Sequence, residues 1–142
     1  MDRRLDPVGR LARPRILLAE DDASVLKMTR LRLEHEGFDV IVATNGEEAL
    51  KQVDQYADIS LALVDVRMPK LDGFQVCKRM KADPKSMHIP IIVFTASVSQ
   101  LQRLTDRCIE LGVSGWLRKP FRSKDLMDKI HQLLRGEGGT NG

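Results

Sequence analysis

The chain has 142 residues, of which 42% are hydrophobic and 30% charged, a composition typical of one globular domain. No apolar run approaches about 18 residues, which excludes a membrane-spanning helix. The first arginines are not followed by an apolar segment, so the sequence shows no secretory signal. The net charge of +3 resides in residues 1–15, where five arginines outnumber two aspartates; the remainder carries 18 basic and 18 acidic residues, so the charge does not indicate a nucleic-acid-binding domain.

Residues 1–13 are predicted to form a flexible basic tail. They include Pro7 and Gly9 and show no clear apolar periodicity. The tail has no aromatic residue and no apolar face, which favours a solvated tail over an arm that binds RNA, DNA or anionic lipid. Residues 136–142, rich in glycine, are predicted to form a second tail, so residues 14–135 contain the predicted domain.

Five short apolar runs predict β-strands. Three of them are continuous and rich in branched side chains, which is typical of central strands in a parallel sheet covered on both faces. The predicted strands are Arg15–Ala19, Val40–Ala43, Leu61–Val64, Ile91–Thr95 and a short strand around Gly115–Leu117.

Five helical patterns alternate with these strands, and each apolar stripe is interpreted as core. Gly37 is expected to end the first helix in a left-handed conformation, and Asp83-Pro84 to end the third. The two cysteines are predicted to be buried reduced thiols. The stripes are Val25, Leu26, Met28, Thr29 and Leu33; Ala49, Leu50, Val53, Tyr56 and Ala57; Val76, Cys77 and Met80; Leu101, Leu104, Cys108 and Leu111; and Leu126, Met127, Ile130, Leu133 and Leu134.

A regular alternation of five strands and five helices with right-handed crossovers predicts an α/β fold, an open doubly wound (βα)5 sheet. In such sheets ligands bind outside the carboxyl ends of the strands. Polar residues occupy four of these ends. They are Glu20-Asp21-Asp22 after the first strand, Asp65 after the third, Thr95 at the end of the fourth and Lys119-Pro120 after the fifth.

The residue types at these strand ends predict a phosphoryl-binding site. Carboxylates packed closely repel, so either their pKa values rise or a divalent cation binds among them. Oxygen ligands without cysteine or histidine favour Mg²⁺. Lys119 suits a phosphate oxygen, and Thr95 can donate a hydrogen bond. Asp22 is interpreted instead as a helix N-terminal charge or cap, and Asp72 as a turn residue beside Gly73.

Together, these motifs resemble the receiver domain of two-component response regulators over about residues 14–135. The matching motifs are Glu20-Asp21 after ILLA, Asp65 in LVDVRMPKLDG, Thr95-Ala96 after IIVF, and Lys119-Pro120 in GWLRKPF. The resemblance implies a flavodoxin-like five-stranded parallel sheet of order 2-1-3-4-5. It also implies a cytoplasmic signalling protein, expected to be a stand-alone single-domain phosphoacceptor regulator rather than an enzyme with a separate substrate.

The resemblance also implies a role for each residue of the site. Asp65 would accept a phosphoryl group from a histidine kinase, a histidine phosphotransfer protein or a small phosphodonor. Asp21, Asp65 and the backbone carbonyl of Arg67 would bind Mg²⁺, with Glu20 acting through water. Lys119, joined to Pro120 by a cis peptide bond, would pair with the phosphoryl group, and Thr95 would move in to hydrogen-bond it.

Several positions depart from the family's pattern. Trp116 stands where the family has tyrosine or phenylalanine, and it either fills the core or rotates as a switch with Thr95. Arg67 and Ser97 occupy two positions thought to tune the lifetime of the phosphoryl group. Residues 113–115 lack the acids of regulators that dimerise to bind DNA. We therefore expect a monomer or weak dimer without direct DNA binding, whose fourth helix, fifth strand and fifth helix contact an unknown downstream protein.

Two alternatives stay open at this point. The chain could be an excised receiver domain of a larger hybrid kinase, cyclase or transcription regulator, or a Mg²⁺-dependent phosphohydrolase. A phosphohydrolase of the haloacid dehalogenase type needs a second aspartate two residues after the first, where this chain has Arg67. The G-x-x-x-x-G-K-[ST] motif of P-loop nucleotide hydrolases is absent from the sequence.

Overall fold

The computed structural model describes residues 13–95 and 101–136, without the side chains of residues 101–105. Five strands alternate with five helices in this part of the chain. The strands are β1 (Arg15–Ala19), β2 (Asp39–Ala43), β3 (Ile59–Asp65), β4 (Ile91–Thr95) and β5 (Gly115–Arg118). The helices are α1 (Ala23–His35), α2 (Gly46–Gln55), α3 (Gly73–Ala82), α4 (Leu101–Leu111) and α5 (Ser123–Leu134).

The strands form one parallel sheet in the order β2-β1-β3-β4-β5, which confirms the predicted fold. Every residue of β4 is buried, and so is every residue of β3 except Ser60. Burial of both faces explains why these central strands have continuous apolar sequences instead of alternating ones. Because all strands are parallel, their carboxyl ends meet at one edge of the sheet.

The core consists of two layers, one on each face of the sheet. Successive residues of β1 point to opposite faces, so that Leu17 and Ala19 join one layer, and Ile16 and Leu18 the other. Helices α2, α3 and α4 cover the first layer, and α1 and α5 cover the second. Both cysteines are buried free thiols, as predicted.

Two residues predicted as core are exposed. The exposed fraction of Met28 in α1 is 72%. At 3.6 residues per turn Met28 lies about 140° around the helix from Leu33, which is fully buried, so the two side chains point to different faces of α1. Ala57 is also exposed, because α2 ends at Gln55 and the helical spacing no longer applies there.

The predicted helix ends are confirmed. Gly37, just after α1, has a φ of +95°, and α3 ends at Ala82, before Asp83-Pro84. Both predicted tails lie almost wholly outside the described residues, as do Ser97 and the side chains of Leu101 and Leu104. Among the described residues, no helix is long and apolar enough to cross a membrane.

Candidate functional site

The carboxyl edge of the sheet brings together five of the polar residues singled out in the sequence. Glu20 and Asp21 follow β1, Asp65 and Thr95 end β3 and β4, and Lys119 follows β5. The strands are held by a parallel hydrogen-bond ladder, and the backbone N–H of Lys119 donates to the carbonyl of Thr95 at 2.6 Å. The sheet therefore fixes the relative positions of these side chains.

Three carboxylates form the acidic part of the site. One oxygen each from Glu20, Asp21 and Asp65 lies within 4.8 Å of the other two. Asp21 is exposed, whereas the side chains of Glu20 and Asp65 are only 1% and 8% exposed. Opposite oxygens around one Mg²⁺ lie about 4.2 Å apart, so this all-oxygen cluster fits a small divalent cation with some ligands bound through water.

Lys119 supplies the positive charge of the site. Its Nζ contacts Oε1 of Glu20 directly and lies 3.4 Å from Oδ1 of Asp65. The other carboxylate oxygen of Glu20 accepts a hydrogen bond from the backbone N–H of Asp22 at 3.2 Å. Both oxygens of the buried Glu20 are thus engaged, and the Lys119 ammonium group is positioned between two carboxylates. The peptide bond from Lys119 to Pro120 is cis.

The surroundings of Asp65 favour its protonated form. Burial raises the pKa of Asp65 to about 7 from an ordinary value of 3.8; the negative charge of Glu20 adds to the increase, and Lys119 opposes it. Burial lowers the pKa of Lys119, but its contacts with Glu20 and Asp65 outweigh burial and leave that pKa raised. The site therefore holds a charged ammonium group beside a carboxyl group that keeps its proton more strongly than a solvated aspartate does.

The segment after Asp65 packs α3 tightly against the end of β3. A Cβ at Gly73 would lie 2.3 Å from the carbonyl oxygen of Asp65, a separation that only glycine permits. The backbone N–H of Gly73 also donates to the carbonyl of Val66 at 2.8 Å. Glycine at this position therefore lets the first turn of α3 support the chain that carries Asp65.

Asp72 is a helix cap and not only a turn residue, which corrects the sequence interpretation. Its carboxylate accepts a hydrogen bond from the N–H of Gln75, and the Gln75 side chain accepts one from the N–H of Asp72, each at 2.9 Å. This capping box was visible in the sequence as aspartate followed three residues later by glutamine. Asp22 caps α1 as predicted, accepting from the N–H groups of Ser24 and Val25.

The remaining predicted residues lie outside the carboxylate cluster. Arg67 is exposed in the segment between β3 and α3. Trp116 of β5 pairs in register with Val93 of β4 and is 9% exposed, within the core layer under α2, α3 and α4. The stacking of Phe121 on Phe94, with ring centroids 4.9 Å apart, was not predicted. Sequence spacing gives no signal for it, because the two rings come from elements separated along the chain.

Comparison with known proteins identifies what this arrangement is similar to. The family model of the response regulator receiver domain matches residues 16–131. Two relatives are the alkaline phosphatase synthesis transcriptional regulatory protein PhoP of Bacillus subtilis, 33% identical, and the transcriptional regulatory protein CpxR of Escherichia coli, 39% identical. Each match covers 85% of this chain, and 48% and 49% of the respective relative. The chain thus spans about half the length of the curated relatives it matches.

Solved structures with similar folds include chains that this protein covers almost completely. Chemotaxis response regulator CheY4 of Vibrio cholerae matches with a TM-score of 0.78 and 26% identity, over 85% of this chain and 98% of that chain. The signal receiver domain of a signal transduction histidine kinase from Syntrophus aciditrophicus matches with a TM-score of 0.79 and 28% identity, over 87% and 91% of the two chains. The fold therefore occurs both in a chain of this size and within a kinase.

Proposed function

Because the chain belongs to the response regulator receiver domain family, we propose that it is a phosphorylation-dependent switch whose Asp65 accepts a phosphoryl group. The donor is a histidine kinase or a histidine phosphotransfer protein. The observation that carries this proposal is the convergence of three carboxylates and the Lys119 ammonium group at one edge of the sheet. An acid delivered by a buried strand to this edge is held rigidly enough to act as a nucleophile.

Asp21, Asp65 and the backbone carbonyl of Arg67 would bind Mg²⁺ directly, and Glu20 through water. The bound cation would offset the negative charge of the carboxylates and of the phosphoryl oxygens. Asp21 is the exposed member of the three acids, which suits it to meet an ion arriving from solvent. Glu20 is buried and already engaged by Lys119 and Asp22, which suits it to an indirect role.

The chemical step joins a carboxylate oxygen of Asp65 to phosphorus as the P–N bond of the donor phosphohistidine breaks. The imidazole leaves with the electron pair of that bond and takes a proton from solvent. Asp65 must be ionised to attack, and the positive charge of Lys119 favours that form. Lys119, 3.4 Å from Asp65, then holds a phosphoryl oxygen, and the Thr95 hydroxyl donates a hydrogen bond to another.

The conformational effect of phosphorylation would be transmitted to the rest of the molecule through Thr95 and Trp116. The phosphoryl group adds roughly −1.5 to −2 charges at Asp65. The carbonyl of Thr95 binds the N–H of Lys119, so a movement of Thr95 bears on the end of β5 and on Trp116. The surface formed by α4, β5 and α5 then favours a shape that a downstream protein prefers.

The test is the intact mass of the protein after incubation with acetyl phosphate and Mg²⁺. We expect the mass of one added phosphoryl group on the wild type and no addition on Asp65→Asn. Asp54→Asn is the matched control, because Asp54 is an exposed acid on α2 away from the carboxyl edge, and it should be modified as fully as the wild type. A modification that persists in Asp65→Asn, or an unmodified wild type with acetyl phosphate and a range of kinases, contradicts the proposal.

We further propose that residues 14–135 form the receiver unit, between tails at residues 1–13 and 136–142, and that it works in the cytoplasm as a monomer or weak dimer without contacting DNA itself. Arg67, in place of a second aspartate, disfavours a phosphohydrolase. That alternative predicts continued release of phosphate from a phosphate ester in excess of the protein, whereas a phosphoacceptor regulator gives none.

A second candidate function is that of the receiver part of a DNA-binding regulator. It is favoured by the names of the relatives, which are transcriptional regulators about twice as long as this chain. Reading the complete genomic open reading frame decides between the two, since a segment encoding a DNA-binding domain in the same frame supports the second.

A further inference from the structure

A cavity of about 550 Å³ lies at the edge of the sheet opposite Asp65. Its walls come from the C-terminal parts of α2 and α3 and from the segments that lead into β3 and β4. Leu50 and Val53 of α2 and Tyr56, the residue that follows its last turn, form an apolar wall, and the almost fully buried Met80 and Ile89 line the other side. The volume falls in the range of about 300–1,000 Å³ that is typical of small-molecule sites.

The apolar stripe of α2 is only partly covered by protein. The sequence predicts Leu50, Val53 and Tyr56 as core, yet in the structure each is half-buried, and only Ala49 of the stripe is fully buried. The three side chains pack against the core layer and line the cavity, and the guanidinium group of Arg15 also lies over the Tyr56 ring, 5.2 Å from its centroid. Contact with a ligand would remove this apolar surface from water, which is favourable by about 25 cal/mol per Å².

The charges around the cavity are arranged unevenly. Arg79 and Lys85 lie on the α3 side and are exposed, and neither side chain forms an ion pair within the described residues. Asp83, on the same side, accepts a hydrogen bond from the backbone N–H of Lys85 at 3.0 Å. Asp54 lies on the α2 side. Two acids balance two bases overall, but the α3 side carries two cations and one acid. Its guanidinium and ammonium groups pair with no acid among the described residues and can bind an anion.

We propose that this cavity binds a small monoanionic molecule, an aromatic or aliphatic carboxylic acid. Its apolar body would lie against Leu50, Val53 and Tyr56, and its carboxylate would face Arg79 and Lys85. The balancing acids Asp54 and Asp83 disfavour ligands with several negative charges, such as nucleotides. The site is separate from the carboxyl edge and does not depend on phosphorylation of Asp65.

The test compares three naphthalene probes of equal size, 2-naphthoate, 2-naphthylmethanol and 2-naphthylmethylammonium, by amide chemical shifts in ¹⁵N-labelled protein. For ligands of this size we expect 2-naphthoate to bind with a Kd on the order of 1 mM. Its shifts should be confined to the C-terminal halves of α2 and α3 and to residues 83–89. The neutral and cationic probes should bind several-fold more weakly.

Substituting Arg79 and Lys85 distinguishes a specific carboxylate site from non-specific binding of apolar molecules. Arg79→Gln with Lys85→Gln should weaken 2-naphthoate binding by about tenfold and leave 2-naphthylmethanol unchanged. The matched control is Lys27→Gln with Lys78→Gln, which removes two exposed cations that do not line the cavity. All four positions are exposed, so both variants should fold. Equal binding of the three probes, shifts located elsewhere, no saturable shift, or 2-naphthoate binding unaffected in the first variant would each overturn the proposal.

Discussion

Replacing Asp65 with asparagine should stabilise the fold in the absence of divalent cations. Asp65 is buried next to a second buried acid, Glu20, and burial together with that negative charge raises its pKa to about 7. Ionising Asp65 therefore costs the folded protein free energy that it does not cost the unfolded chain. Asparagine has nearly the same shape and no charge to ionise, and Lys119 keeps its contact with Glu20 in the variant.

The magnitude follows from the shift in pKa and depends on pH. The rise in the pKa of Asp65 from 3.8 to about 7 corresponds to a cost of about 4 kcal/mol at most. Below the ordinary value, the carboxyl group is protonated in both states and this cost is absent. As pH rises from about 4 to about 7, the unfolded chain has lost its proton while the folded protein still holds it, so stability falls across this range and levels off once both states are ionised. Asp65→Asn should thus gain about 2–4 kcal/mol relative to the wild type at about pH 8, and almost nothing at about pH 4.

The assay is urea denaturation in a chelating buffer, followed by Trp116 emission, at several pH values. Asp54→Asn is the control, since an exposed acid should change the free energy of unfolding by less than about 0.5 kcal/mol. Adding Mg²⁺ at ten times its Kd should stabilise the wild type by about 1.4 kcal/mol and narrow the difference from Asp65→Asn. A difference that does not vary between about pH 4 and about pH 8 would falsify the reasoning, because only the ionisation of Asp65 predicts that dependence.

Two further predictions concern the coupling of Asp65 to its neighbours. Gly73→Ala should destabilise the fold by about 1–3 kcal/mol in urea denaturation, because its Cβ would lie 2.3 Å from the carbonyl oxygen of Asp65; an unchanged midpoint would show that α3 shifts without cost. Beryllofluoride with Mg²⁺ mimics the phosphoryl group and should alter the emission of Trp116, the single tryptophan, but not in Thr95→Val. If beryllofluoride binds without a change in Trp116 emission, the conformational change is transmitted through another surface.

The sheet could be predicted because the sequence carries its own signal for each strand. Continuous apolar runs such as residues 61–64 occur where both faces of a strand are covered, and the parallel order then places all carboxyl ends together. Glu20, Asp65 and Lys119 could be placed at one edge for that reason alone. The strand ends are local signals in the sequence, whereas the strand order 2-1-3-4-5 depends on pairing between distant strands and was implied only by the family resemblance.

Other features depend on contacts that no local pattern records. Met28 fits a helical stripe, but how wide a stripe is buried depends on the surface beneath the helix, here a sheet that α1 covers with a narrow face. The direct contact of Lys119 with Glu20 joins residues 99 positions apart, so the spacing showed only that both reach the same edge. The capping box of Asp72 was a local signal, and the turn interpretation overlooked it.

The site combines features that weigh against stability. Glu20 is a fully buried acid, Asp65 is a second buried acid beside it, and the Lys119 ammonium group lies between them. An apolar edge of the same shape would fold more stably, since buried carboxylates are costly unless their charge is offset. Any group that brings positive charge to this edge and binds only the folded protein lowers that cost. Cation binding, ionisation of Asp65 and folding are therefore linked through the same three carboxylates, so a change in one must shift the others.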